Sequence, residues 1–205
     1  MKKIKIVGVF ISFILSIVLH FIYEWIPSSI ISVIAPVNES IWEHMKLIVS
    51  SSLVFGITEY FIYKKKDIAF NNFLLSYAVS SILGVIIYLL LYIPLNDIFG
   101  HKAYIAIGLL FIIFIFIQII NYYIMNSKKI NYGNELGILL IIMIYLVFGY
   151  FTYHPPKINL FYDYLNKGYG ILNFLNRRCF NEITINIKSW AMAWAIPCLF
   201  FLIKY

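Results

Sequence analysis

The chain has 205 residues, of which 62% are hydrophobic and only 12% are charged, and its formal net charge is +7. Soluble domains carry about 25% charged residues, so this chain has too little polar surface to cover a water-soluble fold. Its lysines and arginines stand in short runs between apolar segments rather than on one basic face with interleaved aromatic residues. These features argue against a soluble domain and against nucleic-acid binding, and they predict an integral membrane protein embedded in a lipid bilayer.

Five apolar segments are long enough to cross the hydrocarbon layer as helices. A span needs about 20 residues at a rise of about 1.5 Å per residue. The segments cover about 4–26, 45–63, 73–93, 103–125 and 136–153. Because unpaired backbone groups are costly in lipid and these runs do not alternate in polarity, helices are favoured over a barrel. The predicted fold class is an all-α, polytopic transmembrane helix bundle with five spans and a possible sixth.

The distribution of lysines predicts a multi-pass protein of the cell membrane with a cytoplasmic N-terminus. Residues 6–23 are apolar almost without a break, whereas the apolar core of a signal peptide has about 7–15 residues, so an uncleaved anchor is expected. The inner segments would then hold Lys2, Lys3, Lys5, Lys64, Lys65, Lys66, Lys128 and Lys129. The outer segments would hold Lys46, Lys102, Lys157 and Lys167.

We divide the chain into a transmembrane helical domain, 1–176, and a C-terminal tail, 177–205. Residues 189–203 are apolar but short, and Pro197 interrupts them. A sixth span would also leave Arg177 and Arg178 outside, against the charge rule. A sixth span and a helix lying in the membrane interface both remain open for this tail.

Polar residues cluster at the predicted outer ends of the first two spans. His20 and Glu24 are four residues apart and therefore share one face of the first helix. The second span is preceded by APVNESIWEHMK, residues 35–46, in which Asn38 is expected to cap the helix N-terminus. Glu39 and Glu43 would follow on one face, and His44 would enter the membrane with them.

A third polar piece lies after the fifth span, where His154 ends the helix and Asp163 follows in an outer loop. The topology places all three pieces on one side of the membrane, and imidazole and carboxylate groups are ligands for zinc or a similar divalent ion. The sequence therefore predicts metal ligands among His20, Glu24, His44, His154 and Asp163. It also predicts Glu39 or Glu43 as the catalytic base toward a metal-bound water.

Each of these residues also has a structural explanation. Glu39 would complement a helix dipole, His44 would bond to Ser40, and His20 would pair with Glu24. No H-E-x-x-H motif is present, so the spacing alone does not identify a metal site. Elsewhere, Glu59 is expected to pair or snorkel at the inner interface near Lys64.

Three motifs resemble a family of small bacterial multi-pass membrane proteins to which no activity is assigned. They are H-x-x-Y-E-W at 20–25, A-P-V-N-E-S-I-W-E-H-M-K at 35–46, and Y-H-P-P followed by L-F-x-D at 153–163. The resemblance covers about residues 1–172 and implies location and architecture only. A looser similarity, carried by S-x-x-x-H at Ser16–His20 and again at Ser40–His44, is to seven-span membrane hydrolases that hold zinc.

The sequence thus predicts a bundle with a His/carboxylate pocket at its outer end and leaves three functions open. The first is a metal-assisted membrane hydrolase. The second is a small ion-coupled transporter, which would require a polar path that continues to the other side of the membrane. The third is a non-catalytic membrane subunit or assembly factor in which the same residues serve structure or a protein partner.

Overall fold

A computed structural model describes residues 1–171, and this part of the chain is an assembly of six α-helices. Their bounds are α1 Lys2–Trp25, α2 Ser29–Ile34, α3 Ile41–Lys65, α4 Phe73–Phe99, α5 Ala103–Asn126 and α6 Gly133–Tyr153. All but the short α2 are long and apolar enough to cross a membrane. The predicted all-α bundle with five span-length helices is therefore confirmed. The tail at 177–205, with its possible sixth span, lies outside the described residues.

The long helices pack as neighbours around a shared apolar core. Helix α1 packs against α3 and α5, and α4 lies beside α5, α6 and α3. Between α4 and α6 the backbones come so close that a Cβ on Gly137 would lie 2.3 Å from the amide nitrogen of Leu75. Glycine at this contact allows the approach, as small residues commonly do between membrane helices.

Helix α4 is longer than the sequence indicated. The predicted segment ended at residue 93, before Pro94, but the helix continues through Pro94 to Phe99 and ends at Gly100, whose φ is +71°. A proline removes one backbone hydrogen bond, which a membrane helix tolerates when its neighbours hold it in place. Gly100 is the stronger stop signal because glycine adopts a positive φ without steric cost.

The connection from α1 to α3 contains structure that the sequence analysis did not predict. Helix α2 is capped by Ser28, whose hydroxyl accepts a hydrogen bond from the amide of Ile31 at 3.2 Å. The expectation that Asn38 caps the next helix was wrong, because Ser40 is the N-cap of α3 and accepts from the Glu43 amide at 3.3 Å. Glu39 therefore precedes the helix and lies in the loop.

The chain after α6 folds back over the start of α3. It forms a 3-10 turn, Asn159–Phe161, and two short antiparallel strands, β1 Tyr162–Asp163 and β2 Gly168–Tyr169. Phe161 stacks on Trp42 of α3 with ring centroids 4.8 Å apart. This places Asp163 beside the loop that carries Glu39.

The two ends of the bundle carry different polar residues. We call the end where α1 and α6 finish and α3 begins the histidine end, and the opposite end the Lys5 end. Glu59 was expected to pair or snorkel near Lys64; it does form an ion pair, but with Lys5 of α1, at 2.7 Å and fully buried.

Candidate metal centre

Three side chains converge at the histidine end of the bundle: His20 from α1, Glu39 from the loop before α3, and His44 from the first turns of α3. One ligand atom from each lies within 4.8 Å of the other two. The Nε2 atom of His20 is 3.5 Å from Oε1 of Glu39, and the Nε2 atom of His44 is 3.4 Å from Oε2. The carboxylate thus lies between two imidazoles whose ring centroids are 5.2 Å apart.

The cluster is open to solvent on one side. The side chains of His20, His44 and Glu39 are 20%, 26% and 37% exposed. His20 stands five residues before the last residue of α1, about 7.5 Å along the helix axis, which is close to the expected membrane surface. The three side chains are therefore partly accessible from outside the bundle.

The backbone holds the His44 ring in one orientation. Its Nδ1 lies 2.8 Å from the carbonyl oxygen of Ser40, so Nδ1 carries the hydrogen and donates it. In a neutral ring the lone pair is then on Nε2, the atom that faces Glu39. A backbone carbonyl commonly orients a metal-binding histidine in this way.

Glu39 is an ionised carboxylate near neutral pH, because its pKa is low. Burial by itself would raise its pKa, but the hydrogen bond from His44 and the charges of His44 and His20 outweigh burial and lower the pKa to about 2. A positive charge shared among the carboxylate and the two facing imidazole nitrogens, carried by protons or by a metal ion, would stabilise this arrangement.

Glu43, the other predicted catalytic base, lies outside this cluster and is buried at 2% exposure. Its Oε2 accepts from the Val37 amide at 3.0 Å and from the Lys46 ammonium at 2.5 Å. Its Oε1 accepts from the Thr152 hydroxyl at 3.0 Å. Glu43 therefore ties the loop before α3 to α6, with both oxygens engaged by the protein.

Asp163 also contacts the loop rather than the cluster. It is 2% exposed, and its Oδ2 accepts from the backbone amide of Glu39 at 3.3 Å. The amide and side chain of Asn166 donate to the same carboxylate, both at 2.8 Å. Asp163 thus braces the residue that carries the central carboxylate.

The two remaining predicted ligands stand apart from the three converging atoms. Glu24 is exposed one turn beyond His20 in α1, and His154 is exposed at the end of α6 with its ring against Tyr150. Within residues 1–171 the metal-ligand group contains neither of them.

The family of unknown function DUF6512 matches residues 1–171 of the chain. The chain belongs to DUF6512. No curated protein and no solved structure matches it significantly. The family match ends where the described bundle ends, so every residue of the cluster and of its supporting contacts lies in the part that defines this DUF6512 protein.

Lys46 and Thr152 are supporting residues that the sequence analysis of this DUF6512 protein did not identify. Lys46 was counted only as a loop charge, although the structure buries it completely. The available signal was its position three residues after Glu43 and just inside an apolar run, where an isolated lysine needs a partner. Thr152 gave no comparable signal, because only the fold brings the end of α6 to the start of α3.

Proposed function

We propose that this protein binds a divalent metal ion, zinc in the first instance, through His20, Glu39 and His44, and uses it for hydrolysis at the membrane surface. The observation that carries the proposal is the convergence of one ligand atom from each of these residues within 4.8 Å. The residues come from two helices and a loop, so the contact is made by the fold and not by local sequence.

The chemistry of the donor set supports a catalytic rather than a purely structural metal. Two imidazoles and one carboxylate form a three-ligand set that leaves one position of a tetrahedral zinc ion open for water. A zinc ion bound there would supply a water-derived nucleophile near neutral pH. The partial exposure of all three side chains gives a substrate access to that position.

The charge balance supports a cation at the same place. The Glu39 carboxylate and the Nε2 lone pair of a neutral His44 ring would repel each other, and a divalent ion would turn both of them, together with His20, into ligands. In this proposal Glu39 is a ligand. Glu43, Lys46 and Asp163 are positioning residues, because each contacts the loop that holds Glu39 and none belongs to the converging group.

Metal content is the first test. The purified protein, incubated with zinc and dialysed, should retain about one zinc per chain by mass spectrometry, and His44→Ala should lose it. His154→Ala is the matched control, since it removes an exposed histidine at the same end, and it should keep the zinc. A metal-free wild type, or His44→Ala that binds as much zinc as wild type, would overturn the proposal.

Activity is a separate test. Zinc-loaded protein should hydrolyse a member of a panel of ester and amide amphiphiles in vesicles, and Glu39→Gln should lose that activity together with its metal. If zinc binds stoichiometrically but the whole panel remains intact, the metal site stands and hydrolysis of these bonds does not.

A second candidate is a non-catalytic membrane subunit in which the cluster is an ion pair without metal. The observation behind it is the pair of contacts between Glu39 and the two rings, at 3.4 and 3.5 Å, which lie within the distance range of ion pairs when the imidazoles are protonated. In that case the wild type would bind no zinc, and His20→Ala and His44→Ala would lower thermal stability at pH 6.

We also propose that the protein is in the cell membrane with a cytoplasmic N-terminus, which puts the histidine end outside. The lysine distribution supports this orientation. Cysteines introduced at Ser29 and Lys157, which are both exposed at the histidine end, should both react with an impermeant maleimide added to intact cells. Protection of either one until the cells are opened would contradict the orientation.

A further inference from the structure

Helices α1 and α3 are antiparallel and carry polar contacts at both ends of their interface. At one end Lys5 Nζ lies 2.7 Å from Glu59 Oε2, and at the other end the His20 and His44 rings are 5.2 Å apart. On each helix fifteen residues separate the two contacts. Positions at equal distance from these contacts therefore lie at the same depth in the interface.

A third polar level lies between these two contacts. Ser12 and Ser52 each stand seven residues from the ion pair, about 10 Å along the helix. Both are completely buried, and their hydroxyls have no hydrogen-bond partner within the described residues. The register is supported by Gly8, where an added Cβ would lie 2.5 Å from the Phe55 ring of α3.

Gln118 of α5 extends this level. Its side chain is 2% exposed, and neither its amide nitrogen nor its oxygen has a partner in the part of the chain that the structure covers. The Cδ atom lies 3.1 Å from the position of a Cβ on Gly8, one turn from Ser12. Because unpaired polar atoms in a membrane interior are costly, these groups are suited to hold ordered water.

Glu59 is the carboxylate at the Lys5 end of the interface. It is fully buried and accepts hydrogen bonds from Lys5, from Tyr63 of α3 and from Tyr77 of α4, each at 2.7 Å. An ionisable residue inside a membrane bundle that is held by several donors is a common element of a proton path. The ion pair alone would hold two helices together, but it does not account for the unpartnered groups deeper in the same interface.

We propose that the protein conducts protons along the α1–α3 interface, through water bound by Ser12, Ser52 and Gln118, to the carboxylate of Glu59. Ser16 lies one turn from Ser12 on the same buried face, and its hydroxyl extends the row of buried hydroxyl groups toward the histidine end. A proton that enters from water at that end passes along the bound water to Glu59, which releases it at the Lys5 end. Each passage moves one positive charge and requires a counter-ion flow.

Proton flux into vesicles tests the proposal. Protein is placed in vesicles of phosphatidylethanolamine and phosphatidylglycerol that contain the pH dye pyranine, and valinomycin with potassium balances the charge. After an external acid step, the interior should acidify faster than in protein-free vesicles. Glu59→Gln should reduce the rate to the protein-free value, whereas Glu135→Gln, which changes an exposed carboxylate at the same end, should not.

A second variant keeps the test valid if Glu59→Gln does not fold. Ser12→Ala with Ser52→Ala removes two unpartnered hydroxyls, a change that folding tolerates because no protein hydrogen bond is lost. This double variant should remain folded and lose the flux. Flux equal to protein-free vesicles for the wild type, or unchanged flux in the double variant, would overturn the proposal. Zinc content, measured on the same samples, reports separately on the metal site.

Discussion

Lys46 gives the sharpest test of how the candidate site is supported. Its ammonium group is completely buried and donates to the Ser32 carbonyl at 2.7 Å, the Thr152 hydroxyl at 2.6 Å and the Glu43 carboxylate at 2.5 Å. A longer contact of 3.5 Å joins it to the Ala35 carbonyl, so all three of its hydrogens have acceptors. Methionine at position 46 would fill a similar volume without the charge, so Lys46→Met isolates the electrostatic contribution.

The expected cost depends on the groups that Lys46→Met leaves behind. Glu43 would remain buried as an uncompensated carboxylate, and breaking one side of a buried ion pair costs about 3–5 kcal/mol. Changing Glu43 to Gln in the same chain removes that charge, while the amide oxygen can still accept from Val37. The double variant should therefore lose only about 1–2 kcal/mol, the scale of one or two hydrogen bonds.

Unfolding of the purified protein in mixed micelles, followed by tryptophan fluorescence, measures both free energies of unfolding. Lys65→Met, a change of an exposed lysine on the same helix, is the control and should stay within about 0.5 kcal/mol of wild type. The reasoning is refuted if Lys46→Met costs no more than this control, or if the double variant is as unstable as Lys46→Met.

Three other changes separately probe the proposed metal site and the helix packing. Asp163→Ala should weaken zinc binding about 10- to 100-fold while the five helices persist, because it removes the brace on the Glu39 amide; titration calorimetry measures the loss. Zinc binding should also weaken as pH falls from 7 to 5, because protons compete with the metal for the imidazole nitrogens of His20 and His44, whereas Glu39 keeps its charge with a pKa of about 2; the same titration at several pH values would refute this if affinity were constant. Gly137→Ala should destabilise the bundle by about 1–3 kcal/mol through its clash with α4, and Gly108→Ala, whose Cβ meets nothing within 4 Å, should not lower the unfolding temperature.

The five long helices could be predicted because a helix that crosses the hydrocarbon layer must be apolar along almost its whole length. Length and polarity alone located all five long helices, and the topology placed His20, Glu39 and His44 on one side. The difference between Glu39 and Glu43 was not accessible in this way. It depends on Asn38, which accepts a hydrogen bond from the Ser40 amide, and on Ser40, which accepts one from the Glu43 amide. With the start of α3 fixed in this way, Glu39 faces the two imidazole rings and Glu43 faces Lys46.

Long-range pairs were the part that sequence patterns could not predict. Glu59 was compared with Lys64 because the two are close in sequence, yet its partner is Lys5, which lies on another helix. The same fact affects the topology argument, since Lys5 and Lys46 are neutralised inside the bundle. When these two are left out, the predicted inner segments hold seven lysines and the outer segments hold three. The predicted orientation therefore does not change.

The small hairpin after α6 has a practical consequence for anyone who shortens this protein. A version cut after Tyr153 would retain five membrane-length helices and would be expected to insert normally. It would nevertheless lack Asp163, whose carboxylate accepts a hydrogen bond from the Glu39 amide, and Phe161, whose ring stacks on Trp42. Such a version would have a normal helix content, although the loop that carries Glu39 and the adjoining start of α3 would each have lost a contact that positions them.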